Sequence, residues 1–145
     1  MDFESMNSPI SDLSRLLRSM EPVLNPGTFV FTSVKDGTEV EAGTIIASVR
    51  EPEGLSIVMR ESDARERGLP ILFRAAWITL TVTSDLEAVG LTAAFASALG
   101  AAGISCNVVA GAYHDHIFVP VESSERAMLA LRKLQADSSS VTTDD

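Results

Sequence analysis

Thr83-Ser-Asp-Leu-Glu-Ala-Val-Gly-Leu-Thr-Ala-Ala-Phe-Ala-Ser-Ala-Leu-Gly-Ala-Ala-Gly-Ile-Ser105 is the stretch on which the reading of this chain turns. Upstream of it, Leu72 to Thr83 alternates, with Ile78, Leu80 and Val82 on one side and Trp77, Thr79 and Thr81 on the other, which predicts a strand. From Gly90 the period changes. Leu91, Phe95, Ala98, Leu99 and Ala102 fall on one stripe of a helix, and Gly103 stands where a helix C-terminal glycine belongs. Ile104–Ala112 alternates again, with Ile104, Cys106, Val108 and Ala110 together. Tyr113-His-Asp115 connects tightly into a strand at His116–Val121. A last helix follows, capped by Ser123 or Ser124, with Ala127, Ala130, Leu131 and Leu134 as its apolar stripe and Arg132 and Lys133 complementing its dipole.

Strand, helix, strand, strand, helix is the ferredoxin-like unit lacking its last strand. The first half has the opposite defect, because it opens on a helix. Leu13, Leu16, Leu17 and Met20 make the stripe of that helix, Ser11 is its candidate N-cap, and Pro22 stops it. Asn25-Pro-Gly27 reads as a turn into a strand at Thr28–Val34, where Phe29 and Phe31 share a face. Lys35-Asp-Gly37 is a second turn. Strands follow at Gly43–Arg50 and Leu55–Met59, then a short helix at Glu61–Arg67 ending at Gly68-Leu-Pro70. Two incomplete units in one chain predict an α+β fold of two ferredoxin-like subdomains that share or exchange edge strands, which also covers edges that would otherwise aggregate. The units divide at 10–70 and 71–136, with residues 1–9 and 137–145 as polar, disordered tails.

Charge and composition narrow the function. The chain has 145 residues and a net charge of −9, with 12 acids and 7 bases in residues 1–72 and 8 and 4 in the remainder. No basic half is hidden, so a nucleic-acid partner is excluded. Ala88–Tyr113 carries no charge, yet its four glycines, Asn107 and many alanines argue against a membrane span. The start, Met1-Asp-Phe-Glu4, has no signal-peptide pattern. A single cysteine, Cys106, fits a reducing cytosol, so the chain is expected to be cytoplasmic.

The chemistry points to binding. A glycine at a helix start permits close backbone approach, while the first-turn N–H groups attract a carboxylate. An acid nearby, such as Asp85, offers a partner for an ammonium group. Together they suit a free α-amino acid or a similar small carboxylate. Read locally, Gly90 is also ordinary turn chemistry, and Ser84 with Glu87 matches a capping box. His114-Asp-His116 places two imidazoles on one side of a strand, but a polar hairpin tip explains them without a metal. Cys106 with His116 resembles a nucleophile and base, although Cys106 alternates with core residues. Trp77 reads as core, interface or pocket wall. Glu51 and Glu53, beside Pro52 and Gly54, are turn residues rather than an acid–base pair.

The run Ser84–Pro120, with Gly90-Leu91-Thr92, Ala102-Gly-Ile-Ser-Cys-Asn-Val-Val109 and Tyr113-His-Asp-His-Ile-Phe-Val-Pro120, resembles an ACT domain, a ferredoxin-like regulatory module that binds amino acids, as in the tail of aspartate kinase. Glu51-Pro-Glu-Gly-Leu-Ser-Ile-Val58 is similar to the first unit of small tandem ACT proteins, and the likeness spans about residues 10–136. It implies a non-catalytic amino-acid sensor, paired as a homodimer; no cofactor and no metal are expected. The implied ligand residues are Asp85, Val89, Gly90, Leu91 and Thr92, with Asn107 and Val108 from the next strand. Gly54, Leu55 and Ser56 echo the glycine motif and would mark the facing unit. The alternative is an ACT-like dimerisation or interaction module without a ligand, favoured by bulky Val89 and by the spacing from Asp85 to Gly90. A small enzyme using Cys106 or the histidines is the third reading.

Overall fold

The structure, a computed structural model, describes residues 9–81 and 90–142, and side chains within 13–81 and 90–138. The described residues run α1 (Pro9–Ser19), β1 (Pro22–Val34), β2 (Ile45–Glu51), β3 (Gly54–Arg60), α2 (Glu61–Glu66), β4 (Phe73–Leu80), α3 (Leu91–Ala101), β5 (Asn107–Ala110), β6 (Asp115–Pro120) and α4 (Ser124–Thr142). Single 3-10 turns at Ala42–Thr44 and Val121–Ser123 lead into β2 and α4. The strands form one six-stranded antiparallel sheet in the order β2-β3-β1-β4-β6-β5.

That order resolves the two incomplete units. In a ferredoxin-like unit the fourth strand lies beside the first. For the unit β4-α3-β5-β6-α4 that place is filled by β1, and for the unit β1-β2-β3-α2 it is filled by β4. Each unit therefore supplies its first strand as the other's fourth, the exchange expected from the sequence. The two central strands are the shared ones, and neither unit can be lifted away intact.

Local signals set most boundaries. Gly103, at φ +74, ends α3: its N–H bonds the Gly100 carbonyl at 2.9 Å, and the Ile104 N–H reaches Leu99 O at 2.9 Å. This paired closure leaves Ile104 packed with Leu99 in the core. Helix α1 begins at Pro9, so Ser11 lies within the helix rather than at its cap. Helix α4 runs to Thr142, beyond residue 136, and the Ser138 hydroxyl bonds back to Leu134 O at 2.9 Å, taking its polar group into the helix.

One local reading is corrected. Asn25-Pro-Gly27 does not turn the chain. Strand β1 continues through it, with a register shift against β4 between Asn25 and Phe29. Asn25 is held in the sheet, its amide donating to Trp77 O at 3.2 Å and to Thr79 Oγ1 at 2.9 Å. Proline within a sheet belongs at such an irregularity, where no ladder donor is required of it.

All four helices lie on one face of the sheet. Over its C-terminal half, α1, α3 and α4 cover Ala76, Ile78, Leu80, Ile117 and Val119 with Leu17, Met20, Leu91, Phe95, Leu99 and Leu131. Over the other half, α2 sets Ala64 against Val30, Ile57 and Met59. The opposite face carries no helix among the described residues. Phe29, Phe31, Phe73, Trp77 and Phe118 cluster there, with edge-to-face contacts at 5.2 Å for Phe29–Trp77 and 5.6 Å for Phe31–Phe118. Phe29 and Phe118 are nonetheless fully buried.

Candidate functional site

The first candidate is the start of α3. Gly90 occupies the N-cap position at φ +100, in the left-handed region, and its carbonyl takes the Ala94 N–H at 2.9 Å. A glycine cap has no side chain to offer the first-turn amides, and no acid stands in that turn. Leu91 is buried and anchors the turn to the core, while Thr92 is exposed. The turn is not open on every side: a Cβ at Gly90 would lie 3.3 Å from Cδ2 of Leu13, so α1 packs directly against it. Asp85 and Val89, the other two residues expected here, lie outside the described residues.

The structure separates the remaining expected residues. Val108 pairs with Ile117 and packs, partly buried, into the same core as Leu91. Asn107 pairs with Phe118 and is exposed on the opposite face of the sheet. Strand alternation forbids both from reaching the α3 side within one chain. Gly54, Leu55 and Ser56 sit at the start of β3, after the β2–β3 hairpin, not at a helix start. Gly54 is glycine because of its φ of +147 and because a Cβ would run into the Val34 carbonyl. Leu55 pairs with Val34, and the Ser56 hydroxyl bonds the Glu51 carboxylate. The topological counterpart of the Gly90 turn is the segment after β1, residues 35–44, which contains a 3-10 turn and no α-helix.

Sequence reasoning passed over a second constellation, on the aromatic face. Trp77 on β4 and His116 on β6 face the same side, and Trp77 Nε1–H donates to His116 Nδ1 at 3.1 Å. Thr79 Oγ1 stands 3.3 Å from the same nitrogen. A nitrogen that accepts holds no proton, so the imidazole is neutral with its proton on Nε2. Burial first, and then the nearby His114, hold its pKa below the ordinary 6.5 against the opposing pull of Asp115. Beside this pair lies a cavity of about 310 Å³, lined by Ile45–Ala47 of β2, Trp77, Phe118, His116 and Val109 of β5. The parity of Trp77 and His116 in their strands is legible in the sequence. The arrival of β2 is not.

The two enzyme-like arrangements do not assemble. Cys106 packs against the helical-face core while His116 faces the other way, and burial pushes the thiol up to about 11. No group of three or more metal-ligating side chains occurs among the described residues. No described helix is long and apolar enough to cross a membrane.

Two interlocked ferredoxin-like units in one chain define the class of tandem regulatory folds of this type. The ACT domain matches residues 8–76 and, a second time, residues 73–133, so the chain belongs to the ACT-domain family and carries two units in tandem. A Vibrio cholerae protein of unknown function, described as a possible transport protein, is similar at 46% identity and TM-score 0.79, over 88% of this chain and 99% of that one. The regulatory subunit of aspartate kinase from Thermus flavus shares the fold at TM-score 0.53 and 11% identity, over 78% of this chain and 95% of that subunit. Escherichia coli aspartokinase III, in complex with aspartate and ADP, shares it at TM-score 0.57 and 12% identity, over 78% of this chain and 32% of the enzyme. No curated protein sequence matches the chain.

Proposed function

We propose that this protein is a non-catalytic amino-acid sensor of the cytosol, working as a homodimer and binding a free amino acid at the start of α3. The observation that carries the reading is the left-handed glycine cap of α3, with no acid of its own in the first turn, at the start of the first described helix of the second ACT unit. The ligand carboxylate takes the amides of the Gly90-Leu91-Thr92 turn, and Asp85 is the partner of its ammonium group. Val89 lies beside that turn in sequence and Val108 in the core beneath it. Asn107, on the far face of the sheet, is left to a contact made across a dimer. Pairing is supported by β2 and β5 standing at the ends of the sheet, each bonded to one described strand only.

A thermal-shift panel of the common amino acids tests the proposal. One of them should stabilise the fold by about 2.7 kcal/mol when present at about 100 times its Kd. No shift with any of them at millimolar concentration overturns it. With a ligand in hand, Asp85→Ala should weaken binding by about tenfold or more. Equilibrium sedimentation reads the dimer directly.

The contact of Leu13 with Gly90 favours a second reading, in which α1 closes the turn permanently and the protein is a pairing scaffold. Leu13→Ala distinguishes the two. In the sensor it raises affinity or leaves it unchanged; in the scaffold no amino acid binds before or after the substitution.

A further inference from the structure

We infer that the cavity on the aromatic face is a second ligand site, separate from the start of α3, and that it takes a small neutral aromatic molecule of the size of indole. Three observations support this. The first is shape: the cavity is a half-open cleft walled from both edges of the sheet. Strands β2 and β5 are the opposite edges of the sheet, and in a flat sheet its five interstrand gaps would put them ~24 Å apart. Ile46, Ala47 and Val109 nonetheless line one cavity, so the sheet curls until its edges approach each other. Register shifts in β1, between Asn25 and Phe29, and in β2, between Ile45 and Ala47, lie where bulges bend and twist strands.

The second observation is size. An apolar cavity of roughly 150 Å³ accommodates a benzene ring. At about 310 Å³ this one is suited to a fused bicyclic ring, with the Trp77 and Phe118 rings as walls, their planes 23° apart and their centroids 6.1 Å apart.

The third is charge. No acid, lysine or arginine lines the cavity, the indole N–H of Trp77 is used by His116 Nδ1, and the imidazole is neutral. A carboxylate or ammonium group placed inside would lose part of its water and gain no counter-charge, so a neutral ring is preferred to a zwitterion. The ligand class therefore differs from the free amino acid proposed for α3.

Trp77 is the chain's only tryptophan, so a nitrogen-15 spectrum of the labelled protein contains a single indole N–H peak. Titration with unlabelled indole should move that peak and the Ala47 and Val109 amides saturably, with half-saturation at about 1 mM or below. The amides of Gly90–Thr92 should stay in place, which keeps this result independent of the amino-acid site. Indole-3-acetate should bind at least about tenfold more weakly. Ala47→Leu fills the cavity from the edge strand without removing a wall. It should abolish the indole shifts while the rest of the spectrum remains that of the folded protein. Absence of saturable shifts in the wild type, unchanged shifts in a folded Ala47→Leu variant, or tighter binding of indole-3-acetate each overturns the inference. Should Ala47→Leu fail to fold, Val109→Phe fills the same space from β5 and is read in the same way.

Discussion

The two faces of the sheet solve the same burial problem by different means. On the helical face, aliphatic side chains such as Ile78, Leu80 and Ile117 meet ridges supplied by α1, α3 and α4. On the other face no described helix helps, and five rings, Phe29, Phe31, Phe73, Trp77 and Phe118, pack with Val58, Ala75, Ile46 and Ala47. Those rings are large enough to reach one another as the sheet curls, so Phe29 and Phe118 are as fully buried as Phe95 beneath the helices. A sheet face without a described helix is thus not a surface face in this molecule, and its large rings are a main reason.

The largest expected effect bears on that equivalence. Phe95→Ala, on α3, and Phe118→Ala, on β6, should each lower stability by about 3–5 kcal/mol, because both remove a fully buried ring and leave a cavity. Urea denaturation measures both. If Phe118→Ala costs less than about 1 kcal/mol, the aromatic face is an ordinary exposed surface and the comparison fails.

A smaller effect concerns how the curl is held. Gly54→Ala, at the hairpin that starts β3, should cost about 1–3 kcal/mol, because its φ of +147 is hostile to a side chain and the Val34 carbonyl blocks a Cβ. Gly37→Ala should cost less, since nothing lies within 4 Å of its Cβ position and only the positive φ of +85 opposes it. Equal costs would show that the β2–β3 hairpin is free to yield and is not a fixed wall of the cavity.

The smallest effect is in pH. The folded pKa of His116 lies below its unfolded value of about 6.5, so the unfolded chain binds the proton more readily. Stability contributed by the neutral ring is complete above pH 6.5 and is lost as the pH falls through the folded pKa. The slope should be shallower in His116→Gln when the two pH–stability profiles are subtracted. Identical profiles would mean that the imidazole is as well solvated as a surface histidine. The helical face offers no histidine for a parallel signal, since both histidines of the chain lie on the β5–β6 hairpin.

The helix on which the candidate site is built was legible for the same reason as much of the fold. The change of period at Gly90 and the stop at Gly103 are written locally, and the structure places α3 between them at Leu91–Ala101. Asn107 and Val108, expected together at the ligand, fall on opposite faces of the sheet, because neighbours in a strand point to opposite sides. Gly54-Leu55-Ser56 matched Gly90-Leu91-Thr92 in letters only. Both glycines have positive φ, one at a hairpin and the other at a helix start, and three residues do not reveal the difference.

Period, turn chemistry and charge pattern are short-range properties, and they determined the elements, the two incomplete ferredoxin-like units and their likeness to ACT domains. Tertiary structure decided which strands pair: that β1 and β4 lie side by side, each completing the other's unit, that Asn25-Pro-Gly27 bends a strand instead of ending it, and that β2 comes round to face β5. Strand pairing joins residues far apart in the chain, so each strand's alternation constrains its faces and leaves its neighbours open.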